Sequence, residues 1–413
     1  MKAVSSRNLA LERRARKQRR QRLISLAAFV ILIVAWMFGY FYTGRDVASY
    51  VPDALPGADR IERSGELFIG YMTTQAGDEV VVGYAMAGTA AGYGGPLSMM
   101  VGTDPEGNII SVSVIEHRET PNFFRQLFNR TYIGQFDGKN YAASFTIGDD
   151  LDGVSGATLS AEAVAMSIRQ AVRSIARQQI VGATIPSNTR PIKFGVPEIT
   201  LITLFVVSFF LHQLRSHPNI KKYGRRVIMA TGVLVLGFIL NKPFTLANVI
   251  SLLSGYWPDW HNNLYWFLLL GGILLVTSIQ GKNPYCSWFC PFGATQEFLG
   301  SLTGAKPYQP RRIYGTLRWL QRGLAFMAIV LGLALRQPGA ASYEPFGTLF
   351  GLKGSWSQWV LLILILFGSL VIFRPFCNYL CPLDPVVDYI GEVRRWVKSI
   401  WQKRKRSTSG SSS

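Results

Sequence analysis

Apolar runs long enough to cross a lipid bilayer recur along this 413-residue chain, and they constrain its fold more than any other feature. The first run, "LISLAAFVILIVAWMFGYFY", occupies residues 23–42. A helix of about 20 apolar residues matches the thickness of the hydrocarbon core. The run ends in aromatic residues rather than in a small-residue cleavage site, so we interpret it as a transmembrane anchor and not as a signal peptide. Five more runs lie near residues 198–214, 227–241, 264–280, 318–335 and 357–373. The sequence therefore predicts six spans, five of them in an all-α membrane domain over residues 197–390.

The distribution of lysine and arginine predicts how these spans are oriented. The formal net charge is +19, but the basic residues lie mostly beside apolar runs rather than across one folded face. That pattern is typical of a membrane protein and argues against nucleic acid as a partner. Residues 1–22 and 391–413 are strongly basic, so the positive-inside rule predicts both termini in the cytoplasm and the polar segment 43–190 outside it. We expect a multi-pass protein of the bacterial cytoplasmic (inner) membrane.

The segment from residue 43 to residue 190 has the pattern of an α+β domain. Three stretches rich in β-branched residues predict strands, and apolar residues then recur at helical spacing after Ser160. The segment contains no cysteine, as suits an exported domain that forms no disulfides. The predicted strands are "EVVVGYA", "LSMMVGT" and "IISVSVI", with "TDPEGN" as the turn between the last two.

The stretch "DGVSGATLS" lies at the start of this predicted helix. Ser160 is a candidate N-cap, and Glu162 would lie in the first turn, where the helix dipole favours an acid. Capping does not explain Thr158. Gly156 and Ala157 allow a ligand to approach the backbone closely, and a helix N-terminus offers N–H donors and positive potential to a phosphate. The local residues are thus compatible with a phosphate beside Thr158.

An internal repeat runs through the second half of the chain. "NKPF" precedes a predicted external loop, an apolar run and "CSWFCP", and "YEPF" precedes a shorter loop, a run and "CNYLCP". The first cysteines of the two motifs are 91 residues apart (377 − 286). Both copies run from outside to inside, so we predict a parallel repeat with a pseudo-two-fold axis along the membrane normal. The axis would bring together, at the cytoplasmic end, Cys286, Cys290, Cys377 and Cys381.

These four cysteines are the only ones in the chain. Four converging thiolates suit an iron–sulfur cluster, mononuclear iron or zinc. The proline after each second cysteine can start a helix, because its missing N–H is not needed there. Thiol–disulfide exchange and simple burial are also possible for cysteine, although the duplication argues against chance burial. We predict an iron–sulfur cluster or another iron centre, with structural zinc and thiol chemistry as the alternatives.

Two motifs of the exported segment resemble the FMN-binding domain of the flavin subunits of sodium-pumping quinone reductase and its Rnf relatives. They are "GYGGPLSMMVGTDPEGNIISVSVIEHRETP" and "DGVSGATLS". In that family the threonine of the second motif carries FMN through a phosphoester installed by an exported flavin transferase, and the matching residue here is Thr158. Asn122 and Phe123 stand where the family usually has glycines. The resemblance implies further FMN contacts at Asp152, Ser155, Gly156, Ala157, Ser160, His117, Glu119, Thr120 and Pro121.

The second half, with its two Cys-x-x-x-Cys-Pro motifs and "YEPF", is similar to the NosR/NirI-like family of membrane flavoproteins. Many members end in a ferredoxin-like domain with two further cysteine runs, whereas this chain ends in a basic tail and "STSGSSS". The resemblance therefore implies that a separate cytoplasmic ferredoxin-like protein or a quinol donates electrons. It also implies that an exported reductase accepts them.

These features together predict transmembrane electron transfer through a cysteine-ligated iron centre and covalent FMN. The chain would be an electron-transfer flavoprotein of the oxidoreductase class rather than an enzyme with its own small-molecule product. One alternative is an accessory protein for assembly or regulation of an exported metalloenzyme, and another is a subunit of a cation-coupled redox pump. Because a hydrocarbon layer of about 30 Å separates the two sides, we expect the cysteines on re-entrant or half-helical segments. The FMN domain should then dock near "NKPF" and "YEPF".

Overall fold

The computed structural model describes most of the chain, with short gaps. Residues 47–186 contain an α+β domain, which lies along the chain between a long N-terminal helix and a set of helices that begins at Val196. This order follows the predicted division into an anchor, an α+β segment and an all-α segment. The described residues are 2–42, 47–92, 95–117, 127, 130–154, 158–186, 194–214, 217–258, 260–261, 263–281, 283–308, 314–341, 343–352 and 354–409.

The α+β domain is built on a five-stranded antiparallel meander in which every strand pairs with its neighbours along the chain. The predicted turn "TDPEGN" joins the last two strands. The Asp104 carboxylate accepts hydrogen bonds from the backbone N–H and the side-chain amide of Asn108, at 2.7 and 2.8 Å. Three strands were predicted and are confirmed, and the two strands before them were not. The strands are β1 Arg60–Ser64, β2 Leu67–Thr73, β3 Glu79–Ala91, β4 Pro96–Thr103 and β5 Ile109–Glu116.

One long helix covers a face of this sheet. It packs so closely that a Cβ at Gly88 of β3 would overlap the backbone oxygen of Ser167. Its apolar face, which the sequence predicted, is confirmed, because Val164, Ile168 and Val172 are all fully buried. The helices of the first half are α1 Lys2–Tyr42, α2 Val51–Ala54, α3 Arg130–Ile133 and α4 Thr158–Gln179, with short 3-10 turns at Val47–Tyr50 and Gly134–Phe136.

The start of α4 differs from the prediction. The helix begins at Thr158, so Ser160 lies inside the first turn and is not the N-cap. Glu162 consequently follows the first turn rather than lying in it. Ser160 is buried in the domain core, and this packing explains why a small residue stands there. The change moves Thr158 onto the N-terminal residue of the helix, where free backbone N–H groups are found.

The second half is helical, with several interruptions. The helix after Pro218 changes at Gly232 into a π-helix that ends at Ile239. A second π-helical turn spans Tyr285–Phe289. The helices are α5 Val196–Gln213, α6 Pro218–Thr231, α7 Leu246–Ser254, α8 Leu264–Gln280, α9 Pro291–Thr303, α10 Tyr314–Ala334, α11 Pro338–Ala341, α12 Phe346–Gly351, α13 Trp356–Val371, α14 Pro375–Tyr379 and α15 Leu383–Ser409.

Within the described ranges, three helical segments are long and apolar enough to cross a membrane. They are Leu23–Phe41, Val196–Gln213 and Tyr314–Ala334. Helices α8 and α13 are apolar but shorter, with 17 and 16 residues. The membrane character of the chain is therefore clear, whereas the predicted number of six spans and the parallel repeat remain predictions.

The N-terminal anchor packs on another candidate span. Ala35 of α1 is buried in a cluster with Leu246, Ala328 and Leu333. Gly39 brings the α1 backbone so close to α10 that a Cβ there would overlap the carbonyl oxygen of Leu333. Small residues at such positions let two helices approach each other within a bilayer. The anchor therefore packs as part of the helical domain.

Candidate functional site

The two cysteine motifs lie on short, interrupted helical segments. Cys286 is in the π-helical turn and Cys290 is the N-cap of α9, followed by Pro291 as its first residue. Cys377 is in the five-residue helix α14, and Cys381 follows that helix directly. Pro291 is the first residue of α9, and Pro382 directly precedes α15, positions that suit a residue without a backbone N–H. Half-helical segments were predicted for these motifs, and the helix bounds confirm them.

The fold brings the four thiols together. The thiol of Cys381 interacts electrostatically with those of Cys377, Cys286 and Cys290. A Cβ at Gly293, in the first turn of α9, would lie 3.5 Å from the Cys377 sulfur and 3.7 Å from the Cys290 Cβ. The close approach of the two motifs therefore depends on a residue without a side chain at position 293.

The four thiols are a donor set that suits an iron–sulfur cluster, which binds through cysteine thiolates. A structural zinc ion can take the same four ligands. All four cysteines are free thiols, two of them buried and two half-buried.

Polar side chains from neighbouring helices contact the cysteine segments. The Asn283 amide donates to the Cys286 sulfur at 2.8 Å, and the Gln296 amide donates to the Cys377 sulfur at 3.3 Å. Gln296 also accepts the backbone N–H of Phe376 at 3.0 Å. The Gln321 amide donates to the carbonyl oxygen of Cys381 at 2.9 Å. Hydrogen bonds to the sulfurs are one of the means by which a protein sets the potential of an iron–sulfur cluster.

The segments after "NKPF" and "YEPF" also reach this site. The backbone N–H of Phe244 donates to the hydroxyl of Tyr285, the fully buried residue before Cys286, at 2.9 Å. The Phe346 ring packs against Phe292 and Phe376, with ring centroids 4.9 and 6.0 Å away. The two predicted external loops therefore both contact residues that adjoin the cysteines.

A network of ion pairs lies beside the thiols and was not predicted from the sequence. The Glu297 carboxylate is shared between the guanidinium groups of Arg374 and Arg225, each at 2.6 Å. Arg374 has a left-handed backbone conformation, with φ of +50°, and is the N-cap of α14. Its Nη1 donates to the carbonyl oxygen of Cys286 at 3.1 Å. The signal was the unusual placement of an arginine directly before "PFC" at the end of an apolar run.

His212 packs on the first cysteine motif. Its ring meets Trp288 edge-on, with centroids 6.3 Å apart. Trp288 lies between the two cysteines of "CSWFCP". His212 thus contacts the cysteine motif through Trp288.

The residues of the predicted flavin site are only partly described. Ser155, Gly156 and Ala157 lie outside the described residues, as do Glu119, Thr120 and Pro121. Thr158 is the first residue of α4, Ser160 is buried, and His117 is half-buried directly after β5. Asp152 is exposed, and its backbone N–H donates to the Gln135 side-chain oxygen at 2.7 Å.

The loop that leads into the flavin motif is organised by Asp150. Its carboxylate accepts hydrogen bonds from the Ser144 hydroxyl and from the backbone N–H groups of Phe145 and Thr146, at 2.5, 2.9 and 2.6 Å. The Lys139 ammonium lies 3.5 Å from the same carboxylate. Burial acts to raise the pKa of Asp150, but these hydrogen bonds and this cation together hold the pKa below its ordinary value.

The α+β domain docks on the helical domain beside "NKPF". A cavity of about 500 Å³ separates them, and its walls come from both. Arg169, Arg173 and Arg177 of α4 line one side. Lys242, Thr245, Tyr265 and Trp266 are among the residues on the other side. The predicted docking near "NKPF" is therefore confirmed.

Comparison with known proteins agrees with this division. A family model described as an FMN-binding domain matches residues 92–173. A model described as a 4Fe-4S binding domain matches residues 262–308 and 356–404, and each segment contains one of the cysteine motifs.

Three relatives cover different parts of the chain. The chain is 30% identical over 207 residues to Protein NirI of Paracoccus denitrificans, covering 46% of this chain and 30% of NirI. It is 24% identical over 230 residues to Regulatory protein NosR of Stutzerimonas stutzeri, covering 51% of this chain and 31% of NosR. It is 26% identical over 110 residues to one component of the proton-translocating ferredoxin:NAD(+) oxidoreductase complex of Clostridium ljungdahlii, covering 25% and 59%. The chain thus spans about a third of the length of NirI and NosR.

An FMN-binding domain, a 4Fe-4S binding domain and several apolar helices in one chain define a membrane flavoprotein that binds an iron–sulfur cluster and transfers electrons. Within that class, parts of the chain are similar to NirI and NosR.

We expect Asp150→Asn to loosen the loop before the flavin motif. Losing a charged acceptor of three hydrogen bonds should cost about 1–3 kcal/mol locally. Amide hydrogen exchange in the peptide 139–154 should therefore be about tenfold faster at pH 7. Because the folded pKa is depressed, the effect should be fully present above the unfolded value of about 4 and should vanish as the pH falls through the folded value.

Asp149→Asn is the matched control, because Asp149 is the residue next to Asp150 and its side chain is exposed. Equal exchange rates in the two variants at pH 7 would contradict the role of Asp150.

Proposed function

We propose that this protein carries electrons across the cytoplasmic membrane, between an iron–sulfur cluster held by Cys286, Cys290, Cys377 and Cys381 and an FMN attached to Thr158 by a phosphoester. An iron–sulfur cluster takes up and releases one electron at a time, and a flavin exchanges one or two. The protein's part is to bind the two cofactors, to hold them close enough for electron transfer and to exclude water between them.

One segment supports this proposal most directly, because it contacts both the helix that begins at Thr158 and the first cysteine motif. Lys242, Pro243 and Thr245 line the cavity against α4, whose N-terminal residue is Thr158. Phe244, in the same segment, donates its backbone N–H to Tyr285, next to Cys286. Only the Tyr285 side chain therefore lies between the cysteine motif and the segment on which the flavin domain docks. This contact shortens the gap that a hydrocarbon layer of about 30 Å would otherwise impose.

The second loop supports the same placement. The buried carboxylate of Glu344, in "YEPF", accepts the backbone N–H of Leu246, the first residue of α7, at 2.7 Å. A carboxylate at a helix N-terminus is favoured by the helix dipole. Tyr343, its neighbour, donates to the carbonyl oxygen of Leu380 at 2.8 Å, directly before Cys381. Each of the two loops thus contacts one cysteine motif, as a parallel repeat would require.

The attachment of FMN at Thr158 draws support from local structure. Thr158 opens a 22-residue helix, so its neighbours present free backbone N–H groups to a phosphate. An exported flavin transferase would form the bond. Asp152, Ser155 and Ser160, with Glu119, Thr120, Pro121 and His117, would complete the flavin site.

In this proposal, electrons move from the cytoplasmic side to the exported side. A cytoplasmic ferredoxin-like protein or a quinol would reduce the cluster one electron at a time. The flavin would pass the electrons to an exported reductase. Each electron that leaves the donor thus arrives on the acceptor, with no net change in the protein.

The printed name of one relative favours a second candidate function. NosR is described as a regulatory protein, so this chain could instead sense or support an exported metalloenzyme through its flavin. Reduction of an exported acceptor in membranes supplied with an artificial electron donor separates the two. Turnover at a steady rate supports electron delivery, and a single reduction event without turnover supports sensing.

We expect Thr158→Ala to remove covalently bound flavin, because the phosphoester oxygen is lost. The full chain, expressed with its maturation system, should give a fluorescent band on a denaturing gel that disappears in the variant. Thr184→Ala, which removes an exposed threonine of the same domain, should keep the band. Fluorescence that persists in Thr158→Ala would reject this attachment site.

Replacing any of the four cysteines by serine should reduce bound iron by at least half and weaken visible absorption, because each thiolate ligand holds part of one cluster. Anaerobic purification and iron analysis measure the loss. Ser287→Ala, an exposed position between two of the cysteines, is the control and should leave iron unchanged. Stoichiometric zinc without iron in the unaltered protein would favour a structural site.

The topology is tested with single added cysteines and a thiol reagent that does not cross membranes. In intact spheroplasts, Glu106→Cys should react, because the α+β domain is predicted outside the cytoplasm. Lys398→Cys in α15 should react only after the membrane is broken. Both side chains are exposed, so accessibility within the fold does not limit the reaction. The opposite pattern would reverse the orientation and remove the basis for an exported flavin transferase.

A further inference from the structure

Arg374 is placed to act on the cluster site and not only to hold the fold. Its side chain is 11% exposed, although it belongs to a polar residue type that seldom lies in an interior. The Nη groups bind Glu297 and the carbonyl oxygen of Cys286. The Nε–H is buried and has no hydrogen-bond partner in the described part of the chain. A buried donor without an acceptor costs about 1–3 kcal/mol, so an acceptor at that place would be stabilising.

The position of this guanidinium relative to the thiols supplies the second observation. Its Nη1 would lie 3.6 Å from a Cβ at Gly293, and the Cys377 sulfur would lie 3.5 Å from the same point. The Arg374 charge interacts with the thiols of Cys286, Cys290 and Cys377. Asp384 and Glu344 interact with members of the same thiol set from other sides. Arg374 therefore opposes two nearby acids at this site.

The geometry points to Arg374 as a positioning residue that holds a positive charge and an Nε–H donor beside the thiolates of the cluster. This charge and this donor raise the reduction potential of the cluster. The inference rests on the proposed cluster at the four cysteines. Adding an electron makes a thiolate-bound cluster more negative, and a nearby fixed cation stabilises the more negative state. Because the site is buried, solvent screens this interaction less than it would at a surface.

Arg225 offers a matched control within the same network. Both arginines bind Glu297, and both donate to a carbonyl oxygen of the first cysteine motif, Arg225 to Ser287 and Arg374 to Cys286. The Arg374 side chain is 11% exposed and lies with the Cys377 sulfur at the Gly293 contact, whereas the Arg225 side chain is 35% exposed. Loss of either arginine breaks an ion pair and a hydrogen bond to the motif, but loss of Arg374 alone removes charge from beside the thiols.

The test is a redox titration of the full chain in detergent, with the visible or paramagnetic signal of the cluster followed against potential and iron content measured on each sample. Arg374→Gln should move the midpoint to a more negative potential by at least a tenfold change in the equilibrium constant for reduction, about 59 mV for one electron. Arg374→Lys keeps the positive charge but loses the Nε–H donor, so its midpoint potential should shift by a smaller amount in the same direction. Arg225→Gln should match the unaltered protein.

Three results would contradict the inference. Equal midpoints for Arg374→Gln and Arg225→Gln, with iron retained in both, reject the role of Arg374 and leave the cluster assignment intact. If Arg374→Gln loses its iron, the comparison uses Arg374→Lys, whose midpoint potential should be more negative than that of Arg225→Gln. Equal midpoint potentials in these two variants also reject the role of Arg374. Absence of iron from the unaltered protein rejects the cluster itself, and this role with it.

Discussion

The fold depends on how the interrupted helices at the cysteines satisfy their backbone groups. A helix that breaks inside an apolar region leaves N–H and C=O groups without partners, and no water is present there to replace them. Here side chains of other helices supply the partners. Gln296 accepts the N–H of Phe376, Gln321 donates to the carbonyl of Cys381, and Arg374 donates to the carbonyl of Cys286. These bonds join elements that are far apart in the chain, so the motifs can form only when the whole helical domain has assembled.

The same constraint explains why the two loops turn inward. Phe244 and Glu344 belong to similar tetrapeptides at the starts of the two loops, and each forms a buried hydrogen bond. Through Tyr285 and Tyr343 these bonds reach the cysteine motifs, and through Lys242 and Thr245 the first loop also meets the flavin domain. The first loop therefore contacts both the flavin domain and a cysteine motif. The N-terminal helix α1 packs on α10 of the same helical domain.

Two arginines and one glutamate form an ion-pair network close to the cysteines of the helical domain. Glu297 lies between two arginines, so the group carries a net positive charge next to four thiols. Breaking a buried ion pair is costly, because the remaining charge has no partner. A buried ion-pair network is therefore weak evidence of a contribution to stability. The proposed role of this network depends instead on its position next to the cysteines, because thiolates and a reduced cluster carry negative charge.

The sequence by itself determined the membrane character of the chain, the division into an α+β and a helical part, both cofactor classes and the last three strands of the sheet. These follow from local patterns: apolar runs, alternation along a strand and short motifs. It did not reveal β1, whose residues are all exposed and carry no alternation, or the helix start at Thr158. Only the tertiary structure placed Arg374 beside the thiols and joined it to Glu297 and Arg225, because they come from three helical regions separated by 72 and 77 residues (297 − 225 and 374 − 297). The physical reason is general: burial and electrostatic pairing depend on which segments meet, and the pattern within one segment does not encode that.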